Sequence, residues 1–312
     1  MKKTDAVIEE ETANEEQPPV PCSSVASKRS KFSEVKVGPP RAFLGNRFVY
    51  AVISQRARGL SIGINMNPNK FCNFDCAYCE VNRDVPPADQ TVDLKVLGAE
   101  LEGLLTLACQ GRMTQFPYFR NVPSELLELK EVALSGDGEP TLSPHFDDIV
   151  QEVVHVRSQA KFPFFKIVLI TNASGLDWPD VRLGLRHLTL EDEIWCKLDA
   201  GTQAYMDEVN RPKAITLQKI LRNILLTARE RPVVIQSLFP LMHLSEPPPE
   251  EIEQYVQRLQ ELKDGGAQIS LVQVYSAHRA PNQPDCGHVP LKCLSRIAQR
   301  VREVTGLPAE VF

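Results

Sequence analysis

Three cysteines in one short stretch are the residues whose types and spacing most directly suggest chemistry. Cys72, Cys76 and Cys79 are separated by three and then two residues, within a segment from Phe71 to Glu80 that is called the cysteine loop below. Iron–sulfur clusters are held by cysteine thiolates, and a cubane with only three protein thiolates leaves one iron open to another ligand. The spacing therefore predicts a metal centre with an open position where chemistry can occur.

A zinc site, or a set of structural thiols, is the alternative interpretation of the cysteine loop. Structural zinc sites use four Cys or His ligands in a closed tetrahedron. The loop supplies three, and the next cysteine, Cys109, falls in a predicted helix. An iron–sulfur or zinc protein that serves electron transfer or partner binding is therefore the second hypothesis.

A second candidate segment reads Ser-Gly-Asp-Gly-Glu-Pro-Thr over Ser135–Thr141 and follows a short apolar stretch. Glycines such as Gly138 let the backbone approach a ligand closely, and the Glu139 carboxylate is a natural partner for an ammonium group. A turn without a ligand is the simpler interpretation of this segment. Its position after a predicted strand favours a binding site.

Polar side chains recur near the C-terminal ends of the later predicted strands. Lys and Asp are rarely buried unpaired, so Lys197 and Asp199, which share one strand face, predict a salt bridge, ribose contacts or both. Candidates for substrate contacts are Gln236, Gln273 and Tyr275.

Two other residues are candidates for cofactor binding. Asn172 follows a predicted strand, where it is also a common turn residue. Arg211 could reach a carboxylate or could lie at the surface.

Apolar periodicity predicts strands that alternate with helices. The strands are at 60–65, 131–135, 166–171, 193–199, 233–238 and 268–275, after a strand or barrel-entry segment at 47–53. The helices are at 93–109, 144–160, 178–187, 216–229, 249–263 and 290–305. This alternation implies parallel pairing through right-handed crossovers. Polar residues at the strand ends favour a barrel with a site at its C-terminal mouth over an open sheet.

Composition separates a tail from one folded domain. Residues 1–40 are acidic and proline-rich and contain little apolar surface to offset the entropy of ordering, so they predict a disordered tail, with the lone Cys22 an incidental thiol. Residues 41–312 form the predicted domain. The chain is 43% apolar with a net charge of −5, which argues against a surface built mainly for nucleic acid.

No secretory signal or membrane-spanning run is visible in the sequence. We therefore expect a cytosolic protein whose eight cysteines stay reduced. A second group, Cys286, His288 and Cys293, could form an auxiliary metal site, although such residues in a proline-rich loop are more often unrelated.

The cysteine spacing, with Tyr78 before the third cysteine, resembles the signature of the radical S-adenosylmethionine (SAM) enzymes. Ser135–Thr141 resembles their Gly-Gly-Glu-Pro motif, with Asp137 in place of the first glycine. The resemblance implies an α/β fold, an incomplete (β/α)6 TIM-like barrel, with one 4Fe-4S cluster on the three cysteines. It also implies that SAM chelates the fourth iron and yields a 5′-deoxyadenosyl radical, which abstracts hydrogen from a substrate.

The same resemblance implies further roles. The motif match implies cofactor binding for Gly138 and Glu139. The full set of candidate cofactor-binding residues is Tyr78, Gly138, Glu139, Asn172, Lys197, Asp199 and Arg211. An external electron donor such as flavodoxin or ferredoxin is expected.

Within the superfamily, the motifs from about residue 60 to 212 resemble the iron–sulfur oxidoreductase branch related to the wyosine-forming tRNA enzymes. Those enzymes hold a second cluster with cysteines upstream of the signature, where this chain offers only Cys22. The substrate is thus unidentified, with a nucleoside or tRNA and a partner protein as the competing classes.

Overall fold

The computed structural model describes residues 43–277 and 286–312, and the predicted tail with Cys22 lies outside them. The strands are β1 Val49–Ser54, β2 Gly59–Asn65, β3 Leu129–Ser135, β4 Lys166–Thr171, β5 Glu193–Lys197, β6 Val233–Leu238, β7 Pro240–Met242, β8 Ile269–Tyr275, β9 Cys286–His288 and β10 Ala309–Val311. The helices are α1 Leu94–Cys109, α2 Phe146–Ser158, α3 Pro179–Leu185, α4 Gln203–Val209, α5 Leu217–Glu230, α6 Pro249–Asp264 and α7 Leu291–Thr305.

One eight-stranded sheet organises the described chain, in the order β1-β2-β3-β4-β5-β6-β8-β10. All neighbouring strands from β2 to β10 run parallel, whereas β1 is antiparallel to β2. The six predicted strands are β2, β3, β4, β5, β6 and β8, in chain order and with helices between them. The predicted incomplete (β/α)6 barrel is therefore confirmed.

The two faces of the sheet contact different neighbours. Cys196 and other outward-facing residues belong to the large apolar core that includes the helices. Val168, Trp195 and Val234 form a separate buried cluster with Ile170 and Leu271. Because side chains alternate along a strand, this second cluster fills the barrel interior. Lys197 follows Trp195 on that interior face, as predicted.

Helix α1 shows how local sequence fixes an element. The Asp93 carboxylate accepts hydrogen bonds from the backbone N–H groups of Lys95 and Val96, so Asp93 is the N-cap of this helix. An apolar stripe then packs on the sheet: Leu97, Leu101, Leu104 and Leu105.

Several short elements were absent from the sequence-based prediction. Helix α4 has seven residues, and β7, β9 and β10 have three each, so none of them carries a full periodic pattern. Strand β9 lies in the segment that was predicted to be a loop, and it pairs with β7 in a separate antiparallel sheet. Within residues 43–277 and 286–312, no helix is long and apolar enough to cross a membrane.

Candidate functional site

The cysteine loop follows β2 and is fixed by the segment after α4. Three backbone hydrogen bonds join the cysteine loop to this segment. The N–H of Asp75 donates to Asn210 O (3.2 Å), that of Ala77 to Val209 O (2.8 Å) and that of Lys213 to Asn73 O (2.8 Å). Phe74 and Pro212 also form an isolated β-bridge. In the segment after α4, Arg211 has a φ of 47°, and its Nε donates to Glu208 O at 3.3 Å. The segment that contains Arg211 thus positions the cysteine loop through its backbone.

Each thiol of the cysteine loop accepts one N–H hydrogen bond. The donors are the backbone N–H of Phe74 to Cys72 Sγ (3.4 Å), Asn210 Nδ2 to Cys76 Sγ (3.6 Å) and Arg83 Nη1 to Cys79 Sγ (3.4 Å). All three thiols are partly buried, and none is in a disulfide. Hydrogen bonds to sulfur are a characteristic feature of protein environments that hold iron–sulfur clusters.

Burial affects the protonation of two of these thiols. It raises the pKa of Cys72 to about 12, with the Glu139 charge adding to the shift. It raises the pKa of Cys76 to about 11, with Asp199 adding to it. Metal ligation requires thiolates, so loading the loop would displace both protons.

As the side chains stand in the described part of the chain, no three His, Cys, Asp or Glu groups converge closely enough to hold a metal ion. The donor set nonetheless fits an iron–sulfur cluster. Three thiols without disulfides share one loop, and an N–H group lies against each sulfur.

Glu139 connects β3, β4 and the cysteine loop. Its Oε1 accepts from the backbone N–H of Thr141 (3.1 Å), from the Thr141 hydroxyl (2.7 Å) and from the Thr171 hydroxyl. Its Oε2 accepts from the backbone N–H of Asn172 (2.8 Å), and its own N–H donates to Phe71 O (3.0 Å). The residue is only 4% exposed. Burial raises the pKa of its carboxyl, although these hydrogen bonds oppose the shift.

The segment Gly136–Glu139, called the glycine–glutamate loop below, packs directly on the cysteine loop. A Cβ at Gly138 would lie 2.0 Å from Phe71 O, and Gly136 has a φ of +136°. The backbone N–H of Asp137 donates to Asn65 Oδ1 at 2.9 Å, and Asn65 Nδ2 donates back to Asp137 Oδ2 at 2.7 Å. Both glycines are thus required by the close approach of two backbone segments.

Asn172 also reaches the cysteine loop. Its Nδ2 donates to Asn73 Oδ1 at 2.9 Å, and its Oδ1 accepts from the backbone N–H of Ser174 at 2.9 Å. Asn73 Nδ2 in turn donates to the Ser174 hydroxyl at 2.9 Å. The end of β4 therefore holds the residue that follows Cys72.

Asp199 is the corresponding connection after β5. Its Oδ1 accepts from the backbone N–H of Leu238 (2.8 Å) and lies 3.5 Å from Lys197 Nζ. Its Oδ2 accepts from the Tyr78 hydroxyl and from Asn210 Nδ2 (2.7 Å). The predicted Lys197–Asp199 salt bridge is therefore present, and protein donors occupy both oxygens of the carboxylate.

A polar layer lies beside this salt bridge on the inner face of the barrel. Lys197 Nζ donates to the Tyr275 hydroxyl at 2.9 Å, and Gln236 Nε2 donates to Gln273 Oε1 at 2.9 Å. The Arg56 guanidinium lies over the Tyr275 ring at 4.6 Å. Burial acts to lower the pKa of Lys197, but Asp199 and Tyr275 outweigh it and raise the pKa, so the amine stays charged.

Among the described residues, Cys286, His288 and Cys293 form no group close enough to hold a metal ion. Cys286 lies in β9 opposite Met242, and His288 is exposed with its Nδ1 3.2 Å from Ala277 O. Cys293 is buried in α7, where Arg296 donates to its Sγ at 3.4 Å.

Comparisons with known sequences give related proteins but no family assignment, since no protein-family model matches the chain. A UPF0026 protein of Helicobacter pylori (strain ATCC 700392 / 26695) is 28% identical over 181 residues, which is 57% of this chain and 50% of that protein. A UPF0026 protein of Methanocaldococcus jannaschii is 27% identical over 182 residues, 56% of this chain and 48% of the relative. The chain thus spans about half the length of the curated relatives it matches first.

A more distant relative has a printed activity. It is the S-adenosyl-L-methionine-dependent tRNA 4-demethylwyosine synthase of Saccharomyces cerevisiae, 24% identical over 156 residues, or 48% of this chain and 17% of that protein.

Solved structures decide the fold family. SuiB of Streptococcus suis, bound to S-adenosylmethionine, has a TM-score of 0.56 at 13% identity and covers 83% of this chain and 52% of its own. TYW1 with a lysine–pyruvate adduct has a TM-score of 0.51 at 17% identity, and the match covers 80% of this chain and 74% of the TYW1 chain. Both are radical SAM enzymes. This chain has the radical SAM fold. The fold that the resemblance implied is confirmed, and the yeast relative is the one whose printed name belongs to the wyosine-related branch.

Sequence reasoning missed several residues of this candidate site. Asn73, Thr141, Thr171 and Asn210 connect the loops, yet each looks like an ordinary turn or strand residue in the sequence. Asn73 and Thr141 lie inside the cysteine loop and the Ser135–Thr141 segment, and Asn210 is next to the candidate Arg211, whereas Thr171 had no such signal.

Proposed function

We propose that this chain is a radical SAM enzyme. One observation carries the proposal. The cysteine loop, the glycine–glutamate loop, Asn172 and Asp199 follow four strands of the parallel sheet and are joined by hydrogen bonds into one network. Ligands of α/β barrels bind where the carboxyl ends of the strands meet.

In this proposal Cys72, Cys76 and Cys79 hold a single 4Fe-4S cluster. A cluster held there would supply the electron for reductive cleavage of S-adenosylmethionine, the chemistry by which a 5′-deoxyadenosyl radical would be made available for hydrogen abstraction from a substrate. The chain holds the cysteine loop in place, because the loop backbone is bonded to the segment after β3 and to the segment after α4.

The glycine–glutamate loop would meet the amino group of S-adenosylmethionine. A carboxylate offers about four acceptor positions, and three of the four bonds to Glu139 fall on Oε1. Oε2 therefore retains one position for the ligand, beside the loop backbone. Tyr78, Asn172 and Asp199 would mainly position the cysteine loop, and Arg211 would offer a cation for the ligand carboxylate.

The polar layer inside the barrel would face the substrate. Lys197 supplies a positive charge and Tyr275 a hydroxyl, while Gln236 and Gln273 supply amide groups. SuiB has been solved with its precursor peptide, and the yeast relative is named for tRNA. For this chain, both a protein and a nucleoside or tRNA remain proposed substrate classes. An external flavodoxin or ferredoxin as electron donor and a cytosolic, reducing location complete the proposal.

Anaerobic reconstitution tests the cluster assignment. We expect about four iron and four sulfide per chain, as in a 4Fe-4S cluster, and an electron paramagnetic resonance (EPR) signal of the reduced cluster that changes when S-adenosylmethionine is added. Cys72→Ala, Cys76→Ala and Cys79→Ala should each lose the cluster. Cys109→Ala, at an exposed cysteine in α1, is the matched control and should retain it.

A different result would favour the second hypothesis. Stoichiometric zinc after purification, with no spectral response to S-adenosylmethionine, would indicate a binding or electron-transfer protein and would overturn the enzyme assignment.

A further inference from the structure

Asn210 is a buried amide that lies against a proposed cluster ligand. Its Nδ2 is 2.7 Å from Asp199 Oδ2, 3.6 Å from Cys76 Sγ and 3.2 Å from the Tyr78 hydroxyl oxygen. An amide nitrogen has two hydrogens. One is directed to the Asp199 carboxylate, which leaves the other for the Cys76 and Tyr78 side.

The orientation of this amide is determined by charge. If the Asn210 side chain were flipped, its carbonyl oxygen would face the Asp199 carboxylate, and two acceptors would be in contact. Asp199 cannot turn away, because the Leu238 N–H and Lys197 hold its other oxygen. The donor end of Asn210 is therefore fixed toward Cys76.

The backbone of Asn210 is fixed as well. Its N–H donates to Met206 O at 2.8 Å, at the end of α4, and its carbonyl accepts from the Asp75 N–H at 3.2 Å. A side chain held at both its backbone and its amide loses little further entropy when it makes one more hydrogen bond.

We propose that Asn210 is a positioning residue that donates an N–H···S hydrogen bond to Cys76 and thereby raises the reduction potential of the cluster. The inference rests on the proposed function. A hydrogen bond to a ligating sulfur stabilises the more electron-rich, reduced state, and such bonds help to set cluster potentials. Asn210 thus makes the cluster easier to reduce, and Asp199 acts through it.

The same contacts connect the barrel interior to the cluster ligand. They run from the Tyr275 hydroxyl to Lys197 (2.9 Å), to Asp199 (3.5 Å), to Asn210 (2.7 Å) and to Cys76 (3.6 Å). Asn210, with Tyr78 beside it, therefore lies between the polar layer and Cys76.

The test is an EPR-monitored redox titration of the reconstituted protein without S-adenosylmethionine. We expect Asn210→Ala to retain its iron and to have a lower cluster reduction potential than the wild type. A smaller fraction of its cluster should therefore be reduced at a fixed applied potential. Asn210→Ser retains a hydroxyl donor but loses the amide, so it should shift in the same direction and keeps the test available if the Ala variant is unstable.

Asn223→Ala is the matched control, because Asn223 is also a buried amide but donates to Ala173 O (2.9 Å) and Ser174 O (3.1 Å). The reduction potential of its cluster should equal that of the wild type. The inference is overturned if both Asn210 variants keep the wild-type potential, or if the control shifts equally. If the wild-type protein itself forms no 4Fe-4S cluster, the proposed function fails first, and that result is read from the iron and sulfide content alone.

Discussion

Glu139 is a residue of the candidate site whose hydrogen bonds also stabilise the surrounding structure. Its carboxylate accepts four hydrogen bonds from three residues on two neighbouring strand ends. A glutamate that only contacted a ligand would not need these partners. We therefore expect its removal to lower stability even when no ligand is present.

The change Glu139→Gln tests this role. The amide nitrogen of Gln would face either the Asn172 N–H or the Thr donors, so one buried donor would lose its acceptor. An unsatisfied buried group costs about 1–3 kcal/mol. The free energy of unfolding, measured by urea denaturation of the metal-free protein, should fall by that amount. Glu191→Gln, at an exposed position, is the control and should be neutral; equal stability of the two variants would contradict the role.

The sequence predicted the chemical groups of the site better than their partners. Cys72, Cys76, Cys79 and Glu139 were selected because their types and spacing are specific. The partners of Glu139 could not be read in the same way, since Thr171 is 32 residues away and a threonine in a strand is ordinary. Only the pairing of β3 with β4 brings it close.

At the scale of elements, the glycine–glutamate loop and the cysteine loop are in backbone contact. Gly138→Ala would place a Cβ 2.0 Å from Phe71 O, and neither backbone can move without breaking the Glu139 N–H bond to the same oxygen. We expect a loss of about 1–3 kcal/mol, as for other overpacked sites, together with weaker cluster retention.

Gly103→Ala is the matched control for that change. Gly103 lies in the interior of α1, and a Cβ there would meet no atom within 4 Å. Alanine is the better helix former, by up to about 1 kcal/mol, so thermal unfolding should show a small gain in stability. If both variants lose stability equally, the close approach at Gly138 does not matter.

A buried ion pair connects α2 to the segment before β5. Arg157 donates to both oxygens of Asp192, at 2.6 and 3.0 Å, and the two side chains are 9% and 0% exposed. Burial acts to raise the pKa of Asp192, but the hydrogen bonds from Arg157 and from the backbone N–H groups of Ile167 and Thr189 outweigh it, and the pKa is lowered.

Because the folded pKa of Asp192 lies below its unfolded value of about 3.9, its stabilisation is present above that pH and is lost as the pH falls through the folded pKa. Asp192→Asn should lower the free energy of unfolding by about 3–5 kcal/mol at pH 7, since it leaves the Arg157 charge unpaired. The difference in the free energy of unfolding between the wild type and Asp192→Asn should become smaller below about pH 4.

Denaturation at pH 7 and below pH 4 checks this prediction. Glu102→Gln removes the exposed pair with Lys161 (3.2 Å) and should cost less than about 1 kcal/mol at either pH. A gap between the wild type and Asp192→Asn that persists unchanged in acid would refute the assignment.

Short elements mark the limit of pattern-based prediction at this scale. Helix α4 is two turns long, and its apolar residues contact the core without a repeat long enough to recognise. This helix nevertheless leads directly into the segment that contacts the cysteine loop. Its only local signal was Thr202, which caps it by accepting from the Tyr205 N–H.

At the scale of the whole molecule, the alternation of strands and helices predicted the parallel pairing, whereas the barrel was predicted from polar residues at the strand ends and from the family resemblance. Each strand carries outward residues for the helices and inward residues for the interior, so Cys196 and Trp195 separate into two clusters. The separate β7–β9 sheet and β10 depend on contacts between distant segments, which one sequence does not display.

The arrangement brings the ends of β2, β3, β4 and β5 to one mouth, and each contributes a part of the proposed site. The cysteine loop, Glu139, Asn172 and Asp199 are connected to one another there. This arrangement is the basis for the proposed cleavage of S-adenosylmethionine.

The most direct test is quantitation of 5′-deoxyadenosine and methionine by chromatography after the reconstituted protein is incubated with dithionite and S-adenosylmethionine without oxygen. We expect both products in equal amounts from the wild type and from Cys109→Ala, and none from Cys76→Ala. Protein that holds its cluster and yields no 5′-deoxyadenosine, or a Cys76→Ala variant that cleaves as well as the wild type, would contradict the assignment.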